Sequence, residues 1–243
     1  MTPAASRIAL VTGASRGIGR AFALALARQG VHVVALARTQ GALEELDDEI
    51  SGLGGQTTLV PCDLKDFDAL DRLGAALFER FGRLDALVGA AGVLGPLSPL
   101  AHVAPKDFDQ TLAVNATANF RLIRALDPLL RASAAGRALF ITSGVSARRP
   151  MKAYWGPYAV SKAALEAIAR SYAAETEKVS AVRVMLANPG PLRTAMRAKA
   201  MPGEDPATLK TPQEFVEKAL PLLSPEWTET GKLYDFPTDQ ISA

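Results

Sequence analysis

The run Ile8-Ala9-Leu10-Val11-Thr12-Gly13-Ala14-Ser15-Arg16-Gly17-Ile18-Gly19 joins a short apolar, β-prone segment to three glycines spaced four and two apart. Ala21 to Gln29, mostly alanine and leucine, then reads as a helix. Glycines at such a junction have separate uses. Gly13 permits the tight turn, Gly17 lets the backbone approach a pyrophosphate, and Gly19 allows the helix to pack close to the strand. The free N–H groups at the helix start receive phosphate charge. Ser15 and Ile18 lie in the same loop and join the candidate cofactor-binding positions. Glycines also serve ordinary turns; the place after the first strand of a βαβ unit favours the phosphate reading.

The remainder of the chain keeps the alternation that this opening sets. Strands are expected at Val31 to Leu36, Thr57 to Val60, Leu84 to Val88, Ala138 to Thr142, Val182 to Ala187 and Lys232 to Phe236. Helices fall between them, near Gly41 to Leu53, Phe67 to Arg80, a long one from Pro105 to Arg131, and Tyr158 to Lys178. Pro128 is placed to kink or end the long helix. The pattern predicts an α/β fold: one doubly wound Rossmann-type domain over residues 1–243, its parallel sheet covered on both faces. The Pro-rich, charged segment 191–225 is expected to carry short helices and to cover a substrate. Ligands of such sheets bind beyond the carboxyl ends of the strands, so the chemistry should follow each strand.

Composition removes several function classes. With 243 residues, 49% apolar and 21% charged, the chain is of ordinary globular make-up, and a formal charge of +2 gives no basic surface for nucleic acid or membrane. No apolar run approaches the ~20 residues that span a bilayer, and Met1 to Ala9 has no secretory pattern. Cys62, the one cysteine, has no internal partner, which points to a reducing compartment such as the cytoplasm. His32 and His102 lack companions at ligand spacing, so no metal is expected.

The second strand ends at Ala37-Arg38-Thr39, where an acidic residue would accept from the adenosine ribose of NAD. Arg38 stands there instead, and Arg16 lies in the glycine loop. Two guanidinium groups suit a 2′-phosphate, so NADP is the expected cofactor; either arginine alone would read as a solvated surface residue. Asp63, after the third strand, either meets the adenine amino group or caps the helix that begins near Lys65.

Tyr158-Ala159-Val160-Ser161-Lys162 sets a phenol and an ammonium four apart on one helical face. A free tyrosine, with a pKa of about 10, is a poor base at neutral pH. An ammonium at ~5 Å in an effective dielectric near 20 favours the phenolate by roughly 3 kcal/mol, or about two pH units. Tyr154 and Tyr172 serve as controls, since neither has a lysine four residues later. Ser143, just after the fifth strand, is placed to hold a carbonyl by hydrogen bonding; taken alone it is an ordinary loop serine. Asn115 falls inside the long helix, where it either faces solvent or, if buried, interrupts the helix and holds a water. Asn188-Pro189-Gly190-Pro191-Leu192-Arg193-Thr194 ends the sixth strand; Pro189 and Gly190 can turn the chain over a nicotinamide, with Thr194 on its carboxamide, or form a plain strand-to-helix turn.

Together, TGxxxGIG at Thr12 to Gly19, YxxxK at Tyr158 to Lys162, Asn115, Ser143 and Pro189-Gly190 resemble the short-chain dehydrogenase/reductase family, in order, from about Arg7 to Thr194. The overall look is similar to poorly characterised bacterial members. The resemblance implies a seven-stranded sheet and a catalytic set of Asn115, Ser143, Tyr158 and Lys162. In that scheme Ser143 orients the carbonyl or alcohol and Tyr158 exchanges the proton. Lys162 also binds the nicotinamide ribose, and Asn115 supports a water relay. Ala91 joins the cofactor-binding positions. Relatives are commonly homodimers or homotetramers joined through the helices that here carry Asn115 and Tyr158.

Three features depart from the family pattern. Gly89-Ala90-Ala91-Gly92 replaces the usual Asn-Asn-Ala-Gly, which puts bracing of the sheet in question. Ser143 and Tyr158 are fifteen apart, slightly more than usual, so their loop is expected to be altered. Phe236-Pro237 replaces paired glycines near the end, where assembly contacts are expected to differ.

The leading expectation is an NADP-dependent enzyme acting on a small-molecule carbonyl or alcohol. The alternative is a non-catalytic dinucleotide sensor on the same fold. A nucleotide-sugar epimerase fits poorly, because the chain lacks room for a substrate domain. Leu94, Leu97 and Trp155 either line an apolar pocket or pack in the core. Arg193, Arg197 and Lys199 either recruit an acidic substrate or form a solvated face, the second being favoured.

Overall fold

A computed structural model describes residues 6–146 and 151–243. The first five residues of the segment searched for a leader, and residues 147–150 of the Ser143-to-Tyr158 loop, lie outside the described residues.

The element order is β1 (Ile8–Thr12), α1 (Gly17–Arg28), β2 (His32–Ala37), α2 (Gln40–Gly52), β3 (Thr57–Pro61), α3 (Phe67–Phe81) and β4 (Ala86–Gly89). There follow α4 (Pro105–Leu112), a π-turn (Ala113–Thr117), α5 (Ala118–Ala132), β5 (Arg137–Ile141), α6 (Gly156–Thr176) and β6 (Arg183–Asn188). The chain closes with α7 (Ala195–Ala200), α8 (Pro212–Ala219), β7 (Leu233–Asp235) and β8 (Gln240–Ser242). All eight strands form one sheet in the order β3-β2-β1-β4-β5-β6-β7-β8. The order reverses between β1 and β4, where Leu10 pairs with Val34 on one side and Leu87 on the other.

Every residue of β1 is buried, as a strand covered on both faces requires. Its period of two divides the side chains between two core layers. Ala9 and Val11 pack with Phe22, Leu26, Leu43, Ile50 and Phe215, from α1, α2 and α8. Ile8 and Leu10 pack with Leu70, Leu77, Leu126, Leu130 and Leu165, from α3, α5 and α6. Helices on both faces make the fold the doubly wound Rossmann-type arrangement expected.

Three expectations are corrected. The sheet has eight strands, not seven: β1 to β7 run parallel, and β8 returns antiparallel on β7. Only three residues long and exposed throughout, β8 offers no apolar alternation to read. The long helix is not continuous, because the π-turn at Ala113–Thr117 divides α4 from α5. Pro128 lies inside α5 and does not end it, the helix running on to Ala132.

The missing amide side chains of the β4 turn are replaced from across the layer. A Cβ at Gly89 would lie 2.6 Å from both Asn119 Oδ1 and Phe140 Cδ1. Asn119, almost fully buried on α5, fills that space and donates to the Asn115 carbonyl at 2.9 Å. Gly89→Ala should therefore destabilise the fold by ~1–3 kcal/mol through overpacking, read as a lower urea midpoint at unchanged slope. A loss below ~0.5 kcal/mol would mean that Asn119 moves aside freely.

Candidate active site

The turn after β1 is built as its glycines suggest. Gly13 has φ +67°, and a Cβ there would sit 2.9 Å from Ala91 Cα. At Gly19 it would be 2.3 Å from the Gly13 carbonyl oxygen. Gly17 (φ +56°) differs, for nothing but the Thr194 methyl at 3.8 Å comes near. Its face is open, and α1 starts behind it with no side-chain cap. Thr12 fastens this turn to the next strand: its hydroxyl donates to Val88 O (3.3 Å) and accepts from Ala91 N (3.1 Å).

Arg16 and Arg38 are both exposed, at the glycine turn and the carboxyl end of β2. The two ends are tied together by Ala14 N–H donating to Leu36 O at 3.2 Å. Neither arginine is in an ion pair among the described residues, whereas the neighbouring Arg20 pairs with Glu49. Asp63 follows β3, itself the outer neighbour of β2, and accepts from Lys65 N at 2.9 Å. The cap of α3 is Asp66, which accepts from Ala69 N at 3.0 Å, so the capping alternative for Asp63 is corrected.

A cavity of about 370 Å³ opens at the carboxyl ends of the central strands. Ser143, Tyr158, Lys162, Pro189, Gly190 and Thr194 line it, with Ile18 from the glycine turn. The structure thus brings the expected Ser143, Tyr158 and Lys162 together. Tyr158 is buried, and its ring meets that of Trp155 edge-on at 5.9 Å. Burial pushes the phenol up to about 12, while a hydrogen bond with Ser143 acts in the opposite direction. Lys162 is 3% exposed; its Nζ donates to Ile141 O at 2.8 Å and lies 5.8 Å from the Tyr158 ring centre. Desolvation pulls it down to about 8, against the carboxylate of Glu166, which raises it.

The expected depression of the phenol is not what this geometry gives. Lys162 does face the Tyr158 ring from the same helix, but burial raises the phenol, and the influence opposing it is the Ser143 hydrogen bond. The controls behave as structural residues: Tyr172 donates to Asp127 at 2.8 Å, and Tyr154 is exposed.

Asn115 does not line the cavity; it is fully buried behind Gly92, which does. Its side chain accepts from Val93 N (2.8 Å) and donates to Val93 O and Ser161 Oγ (2.9 Å each). Both amide hydrogens are committed, which accounts for an asparagine in the middle of a helical run. A Cβ on Gly92 would stand 3.4 Å from Asn115 Oδ1 and 3.5 Å from Lys162 Nζ, so the β4 turn reaches the lysine.

Two groups that hold this floor were not singled out from sequence. Asn188 Oδ1 accepts from Gly144 N (2.9 Å) and Gly190 N (3.1 Å), and its Nδ2 donates to Asp235 at 2.5 Å. One amide therefore joins the turn bearing Ser143, the Pro189-Gly190 turn and β7. Its place directly before Pro189-Gly190 was the available signal. Glu166 accepts from the hydroxyls of Thr142 and Ser146, on either side of Ser143. Pro237 packs over Gly190, where a Cβ would lie 2.5 Å from its Cγ, so this departure from the family pattern borders the cavity.

Thr194 caps α7, accepting from Arg197 N at 3.2 Å. Arg197 forms a two-pronged pair with Glu204 at 2.5 and 2.6 Å, and Arg193 donates to Pro206 O and Leu209 O. These arginines tie down their own segment, which removes the basis for an acidic-substrate site on Arg193 and Arg197. Leu94 and Trp155 line the cavity; Leu97 is not among its lining residues. Among the described residues no helix is long and apolar enough to cross a membrane, and no three His, Cys, Asp or Glu residues gather for a metal ion.

Comparison with known proteins agrees with the fold. The short chain dehydrogenase family model matches residues 7–205. Uncharacterized oxidoreductase YciK of Escherichia coli (strain K12) is 37% identical over 236 residues, spanning 94% of this chain and 91% of its own. The solved short chain dehydrogenase from Salmonella enterica serovar Typhi CT18 superposes with a TM-score of 0.89 at 37% identity, covering 95% of each chain. A similar structure from Escherichia coli CFT073, solved in complex with NADPH, has a TM-score of 0.87 at 37% identity, covering 94% of this chain and 95% of its own.

Proposed function

This chain belongs to the short-chain dehydrogenase family, and from that membership we propose that it is an NADP(H)-dependent oxidoreductase interconverting a carbonyl compound and its alcohol. The observation that carries the reading is the convergence of Ser143, Tyr158 and Lys162 on one cavity that also reaches the glycine turn.

Support for the dinucleotide comes from the uncapped start of α1, the open face of Gly17, and the two unpaired arginines. The glycine turn would hold the pyrophosphate, Arg16 and Arg38 a 2′-phosphate, and Asp63 the adenine. Ala91, Pro189, Gly190 and Thr194 would border the nicotinamide half. Bound there, NADPH supplies a hydride.

The chain's own groups handle the proton. As the carbonyl carbon takes the hydride, Tyr158 gives its hydroxyl proton to the carbonyl oxygen, and Ser143 holds that oxygen by donating to it. Lys162 stabilises the phenolate left behind and binds the ribose hydroxyls. A phenol kept protonated by burial has its proton available for reduction at neutral pH; the same groups work in reverse for alcohol oxidation. Asn115 braces Val93 and, through Ser161, α6, keeping the lysine in register.

The cavity walls favour an apolar substrate. Leu94, Val145, Trp155 and Ala200 form one buried cluster with Tyr158, packed by Met196, and residues between 191 and 200 line the cavity beside it. The test is a panel of ketones, aldehydes and quinones followed by NADPH absorbance. Apolar members should turn over ahead of carboxylated ones. Trp155→Ala should raise KM for an aryl ketone by about tenfold, the loss of ~1.5 kcal/mol of apolar burial. Tight NADPH binding with no turnover across a broad panel would favour the sensor reading instead.

A further inference from the structure

Tyr158, Lys162 and Glu166 stand at successive turns of α6, so their side chains share one face. Phenol and ammonium belong to the cavity; the carboxylate lies one turn deeper along the helix and does not line it. Glu166 is half-buried, and it is the carboxylate that acts on Lys162. One of its oxygens accepts from the Thr142 hydroxyl at 2.5 Å and also from the Ser146 hydroxyl. Ser146 Oγ also lies 2.7 Å from the Ser143 carbonyl, so its single hydroxyl proton is shared between carboxylate and carbonyl, and Ser146 N–H donates to the same carbonyl at 3.1 Å. The turn that presents Ser143 is therefore anchored on both sides to one carboxylate, which faces the lysine one helical turn away.

We propose that Glu166 is a positioning residue for the reaction, holding the Thr142-to-Ser146 turn in place and keeping the Lys162 ammonium charged. This rests on the oxidoreductase reading above. It follows from what surrounds Lys162. On α6 the titratable groups facing it are Tyr158 and Glu166. From β5 it meets the Ile141 carbonyl, from the β4 turn Gly92, and behind that the neutral Asn115 amide. Arg170, one turn beyond Glu166, donates to Gly231 O and Ala243 O, on the side of β7 and β8. A lysine in so dry a setting loses its proton easily unless an anion opposes the desolvation. Glu166, half-buried and one helical turn away, is the carboxylate that opposes it.

Two variants separate the charge from the anchor. Glu166→Gln keeps an oxygen that can accept both hydroxyls and removes the charge. Ser146→Ala keeps the charge and removes one anchor. In protein labelled with ¹³C at the lysine Cε, with Lys162→Arg assigning the signal, Glu166→Gln should lower the Lys162 titration midpoint by about one pH unit. The alkaline limb of kcat/KM should move down with it, giving a loss of about tenfold at high pH and about twofold near neutrality. Ser146→Ala should lower kcat several-fold with the midpoint unmoved. Glu166→Asp, charged but shorter, should recover most of the midpoint and little of kcat. An unmoved Lys162 midpoint in Glu166→Gln would overturn the proposal. The titration needs no substrate, so a chain that turned over no carbonyl compound would defeat the functional reading while this result still decided the role of Glu166.

Discussion

Replacing Tyr158 by phenylalanine is expected to lower kcat/KM for carbonyl reduction by about a thousandfold, with NADPH affinity within about twofold of the parent. The substitution removes one oxygen and keeps the ring, so the edge-on contact with Trp155 and the packing of the apolar wall persist. What is lost is, among the described residues, the one phenol that lines the cavity beside Ser143 and Lys162. General acid catalysis contributes about 10²–10⁴ in rate, which sets the size of the effect. Folding should not suffer, since burial of the phenol costs more than burial of a phenyl ring in an apolar cluster. A variant that kept most of the activity would move the proton role to another group.

The second large effect concerns cofactor choice. NADPH should bind at least about tenfold more tightly than NADH, and Arg38→Ala should remove most of that margin by weakening NADPH alone. A hydrogen bond to a charged group is worth about 1.5–3 kcal/mol, or roughly 10–100-fold, when it is made and not replaced by water. Arg38 is exposed, so its share should shrink as salt is raised; NADH binding should show no such dependence on this residue. Arg16, in the glycine turn, should retain part of the preference. Equal affinities of the parent protein for the two dinucleotides, in a fluorescence titration, would remove the basis for the NADP assignment.

How much of this was legible in the residues depends on how local each signal is. The glycine turn was readable because one strand, one turn and one helix carry it, and Gly13 and Gly19 answer to contacts inside that unit or just across it, while Gly17 keeps an open face. Tyr158 and Lys162 were readable because a helix converts a spacing of four into a shared face. The break in the long helix was legible only as one of two alternatives, since whether Asn115 is buried turns on its bonds to Val93, twenty-two residues away. Replacement of the missing β4 amides by Asn119 escaped for the same reason: thirty residues separate Asn119 from Gly89, and only the packing of α5 on the sheet joins them.

Charge patterns were only partly legible. Arg193 and Arg197 look available in sequence, yet a carboxylate and two carbonyls of their own segment take them up. The electrostatic expectation for Tyr158 failed on a different count. A charge pair at ~5 Å is simple to estimate, but the desolvation that opposes it depends on the burial of both partners, which no spacing reveals. Burial raises the phenol, where the spacing alone pointed to a fall.

The most direct test follows the hydride itself. NADPH deuterated at the nicotinamide carbon that gives up hydride is incubated with the protein and the best aryl ketone or aldehyde of the panel, and the alcohol is analysed by mass spectrometry. The account predicts one deuterium on the carbinol carbon, formed with the parent protein and not with Tyr158→Phe. Tight NADPH binding without any labelled alcohol, or labelled alcohol formed equally well without the Tyr158 hydroxyl, would contradict it.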